Sequence, residues 1–197
     1  NGSLMTAPGV RERLKRLVKR GHLVVVDPRR TETAALASEH LAIRPGADAG
    51  LLIKLLSALT RCGAPRLGHL QPLLQGWEQA LAAVQEMAVS SIDCGGVSDA
   101  QIEQLARSLY AAQRSAVYGR MGLSTQRHGS LCQWLIQLIN LYTGQLDRVG
   151  GVLPNRTAVP VIGPATSRGA RDRWRSRVRG LPEFSGELPV AALAEEI

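Results

Sequence analysis

The sequence predicts an α/β protein with a mostly parallel sheet, and three observations support this fold class. Residues 23–26 form a continuous apolar run rich in valine, which is typical of a strand buried in a parallel sheet. A helical pattern and a second short apolar run, residues 41–43, follow directly. Asp27 stands at the end of the first run, and ligands of open α/β sheets bind beyond the carboxyl ends of strands. Spacing alone therefore suggests a nucleotide-binding domain.

The first part of the chain alternates helices and strands. Pro8 and Gly21 bracket the first helix, because proline suits the first helical turn and glycine the position after the last. We predict, in order, a helix over residues 8–20, a strand over 23–27, a short helix from 30 or 31 to 38, a strand over 41–43, a turn at Pro45-Gly46 and a helix from Asp48 to about residue 63.

The rest of the chain falls into three stretches. Residues 64–113 contain only helical patterns, with Ser98 as the expected N-cap of the last of these helices. We predict a strand over residues 116–118 and a strongly apolar helix over 128–144. Residues 152–197 are rich in Pro, Gly and Arg and should form an extended segment with strand-like alternation at 171–179 and a short helix. The expected division is residues 1–151 and 152–197.

The net charge of +8 is concentrated in residues 11–20 and 168–179. Such blocks can bind nucleic acid, but aromatic residues for stacking on bases make up only 4% of the chain. Apolar residues at helical spacing in the first block favour an amphipathic helix with a solvated basic face instead. No apolar run reaches the roughly 20 residues of a membrane span. The three cysteines are scattered and are interpreted as small apolar residues.

Two sequence blocks carry a more specific signal. The first is VVVDPRRTETA, residues 24–34, followed by LAIRPGADAGLL, residues 41–52. The second, residues 116–151, contains a Gly-Arg-Met-Gly turn and closes with the pattern N-x-x-T-G-x-x-D-x-x-G-G. Together they resemble the molybdopterin oxidoreductases of the dimethyl sulfoxide reductase family. The residues of the closing pattern are Asn140, Thr143, Gly144, Asp147, Gly150 and Gly151.

The resemblance implies a fold, a cofactor and an activity. The fold would be a three-layer sandwich with a Rossmann-like sheet, missing its first strand, in a chain that is an internal fragment of a longer enzyme. The cofactor would be molybdopterin guanine dinucleotide with molybdenum or tungsten, used for two-electron oxygen-atom or hydride transfer. A 4Fe-4S cluster and the metal ligand would lie in the missing N-terminal part. The expected partners are the remaining domains of the parent chain and an electron-transfer subunit or redox partner.

The resemblance also assigns cofactor-binding residues. Asn1 and Ser3 match the loop on the phosphate side, while Asp27 and Arg29 match the loop for the guanosine end, with Thr31 as a further contact or a helix cap. The alternative for Asp27 is a structural pairing with a neighbouring arginine.

Two further segments complete this predicted site. Asp48, after Gly46, would accept hydrogen bonds from guanine, although Asp is also a preferred N-cap. The loop with Gly119, Met121, Gly122 and Ser124 would approach a pyrophosphate or the second nucleotide, because its glycines allow close backbone approach.

Some features leave alternatives open. Residues 152–156 read Val-Leu-Pro-Asn-Arg where formate dehydrogenase-like members carry R-G-Q-N-N, which puts formate as the substrate in doubt. A non-catalytic homologue that keeps the fold without the cofactor is one rival, and a basic nucleic-acid-binding module is another. If the first strand is missing, residues 24–26 and 116–118 should flank a vacancy, and the chain alone should be poorly stable and tend to associate.

Overall fold

The computed structural model describes residues 4, 7–89, 91–154, 171–184 and 186–197. They fall into two compact units, Asn1–Leu153 and Pro154–Ile197. About half of the residues are helical and the sheets are short, so the protein is a mixed α/β protein.

The sheet of the first unit is a pair of short parallel strands. Strand β1, Val24–Val26, pairs with β2, Glu39–Leu41, so that Val24 lies opposite Glu39 and Val26 opposite Leu41. Helix α2, Glu32–Leu36, lies in the connection between them, as expected because parallel strands need a crossover. The carboxyl ends of both strands therefore lie at one edge of the sheet.

Helices make up most of the first unit. The amphipathic helix α1 was predicted from residue 8 and begins two residues later, after Gly9 with a φ of 65°. None of its residues is fully buried, and Leu17 is 46% exposed. The helical elements besides α2 are α1 (Val10–Arg20), α3 (Asp48–Cys62), a 3-10 helix (Gly68–Leu73), α4 (Trp77–Val89), α5 (Asp99–Ala111), α6 (Met121–Ser124) and α7 (Gly129–Tyr142).

The hydrophobic core of this unit lies between α3 and α7, with α4 and α5 packed against α3. Both central helices are apolar around most of their circumference, which is typical of a helix buried on several sides. Ser98 caps α5 as predicted: its Oγ accepts from the Gln101 N–H, and the Gln101 side chain accepts from the Ser98 N–H. The fully buried core side chains include Leu56, Leu59, Val84, Cys132, Leu135, Ile139 and Tyr142.

The prediction of a strand over residues 41–43 was wrong in its bounds. The observed strand begins at Glu39, because the N–H groups of Ser38 and Glu39 both donate to the Leu23 carbonyl. Ile43 is buried in the helical core instead, and the N–H of Arg44 donates to the Gly95 carbonyl. Leu41 and Ile43 therefore belong to the same hydrophobic core, although only Leu41 lies in the strand.

The prediction of a strand over residues 116–118 was also wrong, since the structure has no strand there. The fully buried side chain of Asn140 explains the difference. Its Oδ1 accepts from the Val117 N–H and its Nδ2 donates to the Val117 carbonyl, each at 2.9 Å. Both polar backbone groups of Val117 are thus satisfied by a side chain. Among the described residues β1 pairs only with β2, so a vacancy flanked by residues 116–118 and a three-layer Rossmann-like sandwich are not confirmed.

The second unit contains an antiparallel pair of strands, β3 (Arg171–Arg175) and β4 (Pro182–Phe184), followed by a 3-10 helix (Val190–Ala192) and α8 (Leu193–Glu196). The Glu196 carboxylate ties the end of the chain to the turn after β3, because it accepts from Ser176 Oγ and from the N–H groups of Val178 and Arg179. The alternating pattern over residues 171–179 indicated a strand, which the structure has only over Arg171–Arg175, because a turn follows at residues 177–179. The expected extended stretch at 155–170 lies outside the described residues.

Candidate functional site

The loop after β1 is organised by Asp27, which is only 7% exposed. Its Oδ1 accepts from the Arg29 N–H at 2.9 Å, and its own N–H donates to the Leu41 carbonyl. These two bonds hold the turn at the sheet edge. Thr31 caps α2, with Oγ1 accepting from the Ala34 N–H, whereas Arg29 is exposed. The Asp27–Thr31 turn therefore places an exposed arginine at the carboxyl edge of the sheet.

The turn after β2 reaches the same edge and leads into α3. Gly46 has a φ of 88°, a conformation that favours glycine. Asp48 is the first helical residue of α3, the N-cap position is Ala47, and no side chain caps this helix. The alternative role of Asp48 as an N-cap is therefore wrong. Its Oδ2 instead accepts from Gln126 Nε2 at 3.0 Å.

The second block begins with residues 116–118, which are hydrogen-bonded to Asn140 through Val117. The chain then continues through Gly119 into α6. Gly119 is closely packed, since a Cβ there would lie 2.5 Å from Leu123 Cδ2 and 2.6 Å from Ile136 Cδ1. Gly122 is open, with nothing within 4 Å of an added Cβ, and Met121 is 67% exposed. Ser124 Oγ accepts from Gln133 Nε2. This loop presents an exposed surface next to a closely packed, half-buried glycine.

The structure brings together some of the predicted site residues. Asp27, Arg29 and Thr31 follow β1, while Gly46 and Asp48 follow the adjacent parallel strand, so both groups lie at one sheet edge. The Asp48–Gln126 hydrogen bond links this edge to the second block, 78 residues further along the chain. Asn1 and Ser3 lie outside the described residues.

Gln126 is a residue that the sequence reasoning missed. Its Oε1 is shielded from solvent and has no hydrogen-bond partner among the described residues. Unsatisfied buried acceptors are rare in folded proteins and need an explanation. The available signal was its place in the polar stretch 124–126 shortly after the glycine turn, but nothing in that spacing pairs Gln126 with Asp48.

The thiols near this site are neutral at physiological pH. Burial, together with a smaller contribution from the negative charge of Asp48, raises the pKa of Cys132 to about 11. Burial also raises the pKa of the Cys94 thiol. All three cysteines are free, and no group of three or more His, Cys, Asp or Glu side chains in the described part of the chain could hold a metal ion. None of the described helices has the length and apolar character needed to cross a membrane.

The closing pattern of the second block shapes the end of α7. Asp147 has a φ of 53°, and its Oδ2 lies 3.0 Å from His69 Nε2. Gly144 has a φ of 71° and packs against the Arg66 backbone, where a Cβ would lie 2.8 Å from the carbonyl oxygen. Gly151 packs more closely still against Gln145, where a Cβ would overlap the carbonyl oxygen. In this structure the pattern encodes a compact turn.

Known proteins share parts of this sequence. The chain is 32% identical over 130 residues to the nitrate reductase of Klebsiella oxytoca, which covers 65% of this chain and 14% of that protein. It is 28% identical over 191 residues to the assimilatory nitrate reductase of Haloferax mediterranei, covering 88% of this chain and 27% of that protein. Formate dehydrogenase H of Escherichia coli is 26% identical over 151 residues, covering 76% of this chain and 20% of the enzyme. No protein-family model matches the chain.

A solved structure supports the fold. Acetylene hydratase from Pelobacter acetylenicus superimposes with a TM-score of 0.60 at 23% sequence identity, covering 68% of this chain and 19% of that chain. The relatives are molybdopterin oxidoreductases of the dimethyl sulfoxide reductase family, and this chain is homologous to one part of them. The resemblance inferred from the two sequence blocks is confirmed. The chain spans between 14% and 27% of the length of these three curated relatives.

Proposed function

We propose that this region binds the guanine dinucleotide part of a molybdopterin cofactor within a two-electron oxidoreductase. The observation that carries the proposal is the contact between Asp48 and Gln126, because it joins the two sequence blocks that resemble the family. The remaining residues proposed to contribute are Asn1, Ser3, Asp27, Arg29, Thr31, Gly46, Gly119, Met121, Gly122 and Ser124.

The residues present fit such a group. Guanine offers adjacent N–H donors, and a carboxylate can accept a pair of them. Asp48 supplies that carboxylate, and the unsatisfied Oε1 of Gln126 supplies a further acceptor next to it. Arg29 is an exposed cation at the same edge, suited to phosphate oxygens or to stacking on a base. The open glycine at position 122 leaves room for close approach of an extended ligand.

The residues of this region would bind and orient the cofactor rather than react. The bound group would supply two-electron redox chemistry at molybdenum or tungsten, while the protein contributes position and electrostatics. Asp48 would hold the guanine end, and the loop around Gly119 and Gly122 would lie along the dinucleotide. In the whole enzyme we also propose a 4Fe-4S cluster, the metal ligand and an electron-transfer partner outside this region.

Cofactor analysis of the enzyme that carries this region tests the proposal. The enzyme is produced in cells that make the cofactor, and its acid-oxidised extract is analysed by fluorescence and chromatography. We expect a fluorescent pterin together with a guanine nucleotide in comparable amounts. A fully folded enzyme that yields neither compound would contradict the proposal and favour a non-catalytic homologue.

A further inference from the structure

The Gln126 side chain donates one hydrogen bond, and its carbonyl oxygen has no hydrogen-bond partner among the described residues. Both atoms lie at the proposed nucleotide site. An ionised carboxylate only accepts hydrogen bonds, so the amide atom that faces Asp48 Oδ2 at 3.0 Å must be the Nε2 donor. The other amide atom is therefore the acceptor Oε1, which is shielded from solvent and has no partner among the described residues. The contact with Asp48 thus fixes which end of the amide is left unsatisfied.

The same contact orients the carboxylate. Asp48 begins α3 and makes no capping bond, so the one hydrogen bond that the described residues give its side chain comes from Gln126. The bond from Gln126 engages Oδ2, which leaves Oδ1 without a hydrogen bond from the described residues. The two side chains together present two acceptors, Asp48 Oδ1 and Gln126 Oε1, and the Gln126 amide keeps one N–H beyond the bond between them.

We infer that Gln126 is a specificity-determining residue of the proposed nucleotide site, where it orients Asp48 and supplies a second acceptor for a base edge that carries neighbouring donors. This inference rests on the proposed function. Guanine has such an edge, since its N1–H and N2–H₂ groups are adjacent donors. Cytosine presents a single amino donor group at this edge, so only one of the two protein acceptors could be paired. The pair therefore selects guanine over cytosine, because a mismatched edge leaves buried polar groups unpaired.

The experiment compares nucleotide content among variants of the enzyme that carries this region, produced in cofactor-competent cells. Gln126→Met removes donor and acceptor at nearly constant length, and Gln126→Ala removes them with a different shape. The matched control is Gln85→Leu, because Gln85 Nε2 donates to Thr60 Oγ1 near the other end of the same helix, α3. Guanine and cytosine nucleotides released by acid hydrolysis are quantified per folded protein, and melting temperatures are measured alongside.

We expect both Gln126 variants to lose guanine nucleotide by about tenfold, as the loss of a buried hydrogen-bond partner implies. Their melting temperatures should stay close to that of Gln85→Leu, whose guanine content should match the unsubstituted enzyme. Guanine content in both Gln126 variants equal to that of Gln85→Leu would overturn this inference alone. An unsubstituted enzyme without guanine nucleotide would overturn the proposed function, and this inference with it.

Discussion

Asp48 and Gln126 show how much a single side-chain contact decides in this protein. Asp48 lies at the first position of a helix, where an acidic group is favourable whatever else it does. Its contact with Gln126 is the observation behind the second role, which we propose, in ligand binding. The two roles predict different consequences of substitution.

We expect Asp48→Ala to lower the guanine nucleotide content of the enzyme by more than its effect on folding explains. The loss of a favourable charge at a helix N-terminus costs about 0.3–1 kcal/mol. Asp99→Ala is the matched control, because Asp99 is the first residue of α5 and is paired with Lys54. Nucleotide content and melting temperature are measured for both variants. Full nucleotide content in Asp48→Ala would show that this carboxylate has only a structural role.

The buried thiol of Cys132 gives a second expectation, concerning pH. Its pKa is raised from the ordinary 9.0 to about 11 in the folded protein, so above pH 9 the unfolded chain releases a proton that the folded chain keeps. The stabilisation is complete below pH 9 and is lost as the pH rises to about 11. The shift corresponds to about 2–3 kcal/mol.

Urea unfolding of the unsubstituted protein and of Cys132→Ala, at several values between pH 8 and pH 11, measures this effect. The difference in unfolding free energy between the two proteins should shrink by about 2–3 kcal/mol over the range. A difference that stays constant would mean that the thiol titrates alike in both states.

Helix α3 contains a glycine whose role is set by its neighbours rather than by helix propensity. Gly50 lies in the first turn of α3, where alanine would normally stabilise a helix by up to about 1 kcal/mol. A Cβ at this position would overlap the Asp93 carbonyl oxygen. The Asp93 side chain also accepts a hydrogen bond from the Arg44 guanidinium. Glycine therefore permits the contact between α3 and this loop.

We expect Gly50→Ala to destabilise the protein by about 1–3 kcal/mol, the usual cost of overpacking. Gly122→Ala is the control, because an added Cβ there meets nothing within 4 Å and the change in stability should be small. Chemical unfolding of both variants gives the comparison. A Gly50→Ala protein as stable as the control would show that the loop yields without cost.

The sheet of the first unit affects whether whole molecules associate, because β1 is paired along one side only among the described residues. Val26, at the end of β1, is 39% exposed. An open strand edge with apolar side chains is a template for pairing with another chain, and lysine at such an edge opposes that pairing.

We therefore expect residues 1–197, produced alone, to associate as concentration rises, and Val26→Lys to reduce this association. Val190→Lys is the control, since Val190 is 82% exposed but lies in a 3-10 helix of the second unit. Light scattering across a concentration series measures the mass of each protein. Equal association of the two variants would exclude the strand edge as the cause.

Local sequence determined most of the elements of this protein. The valine run specified β1, the Ser98 capping box specified the start of α5, and the apolar residues of 129–142 specified α7, because each depends on neighbours in sequence. The two sequence blocks also pointed correctly to the family of relatives, since a turn with its flanking residues is a local pattern.

Tertiary structure decided the remaining features, which depend on contacts between residues far apart in the sequence. Residues 116–118 have the composition of a strand, yet Asn140 takes the hydrogen bonds that a neighbouring strand would have made. Asp48 matches an N-cap in the sequence, yet it is the first residue of α3 and its partner is Gln126, 78 residues away. A sequence pattern records which groups are available, whereas long-range packing determines which of them meet, because burial leaves each polar group only the partners that the fold brings within hydrogen-bond distance.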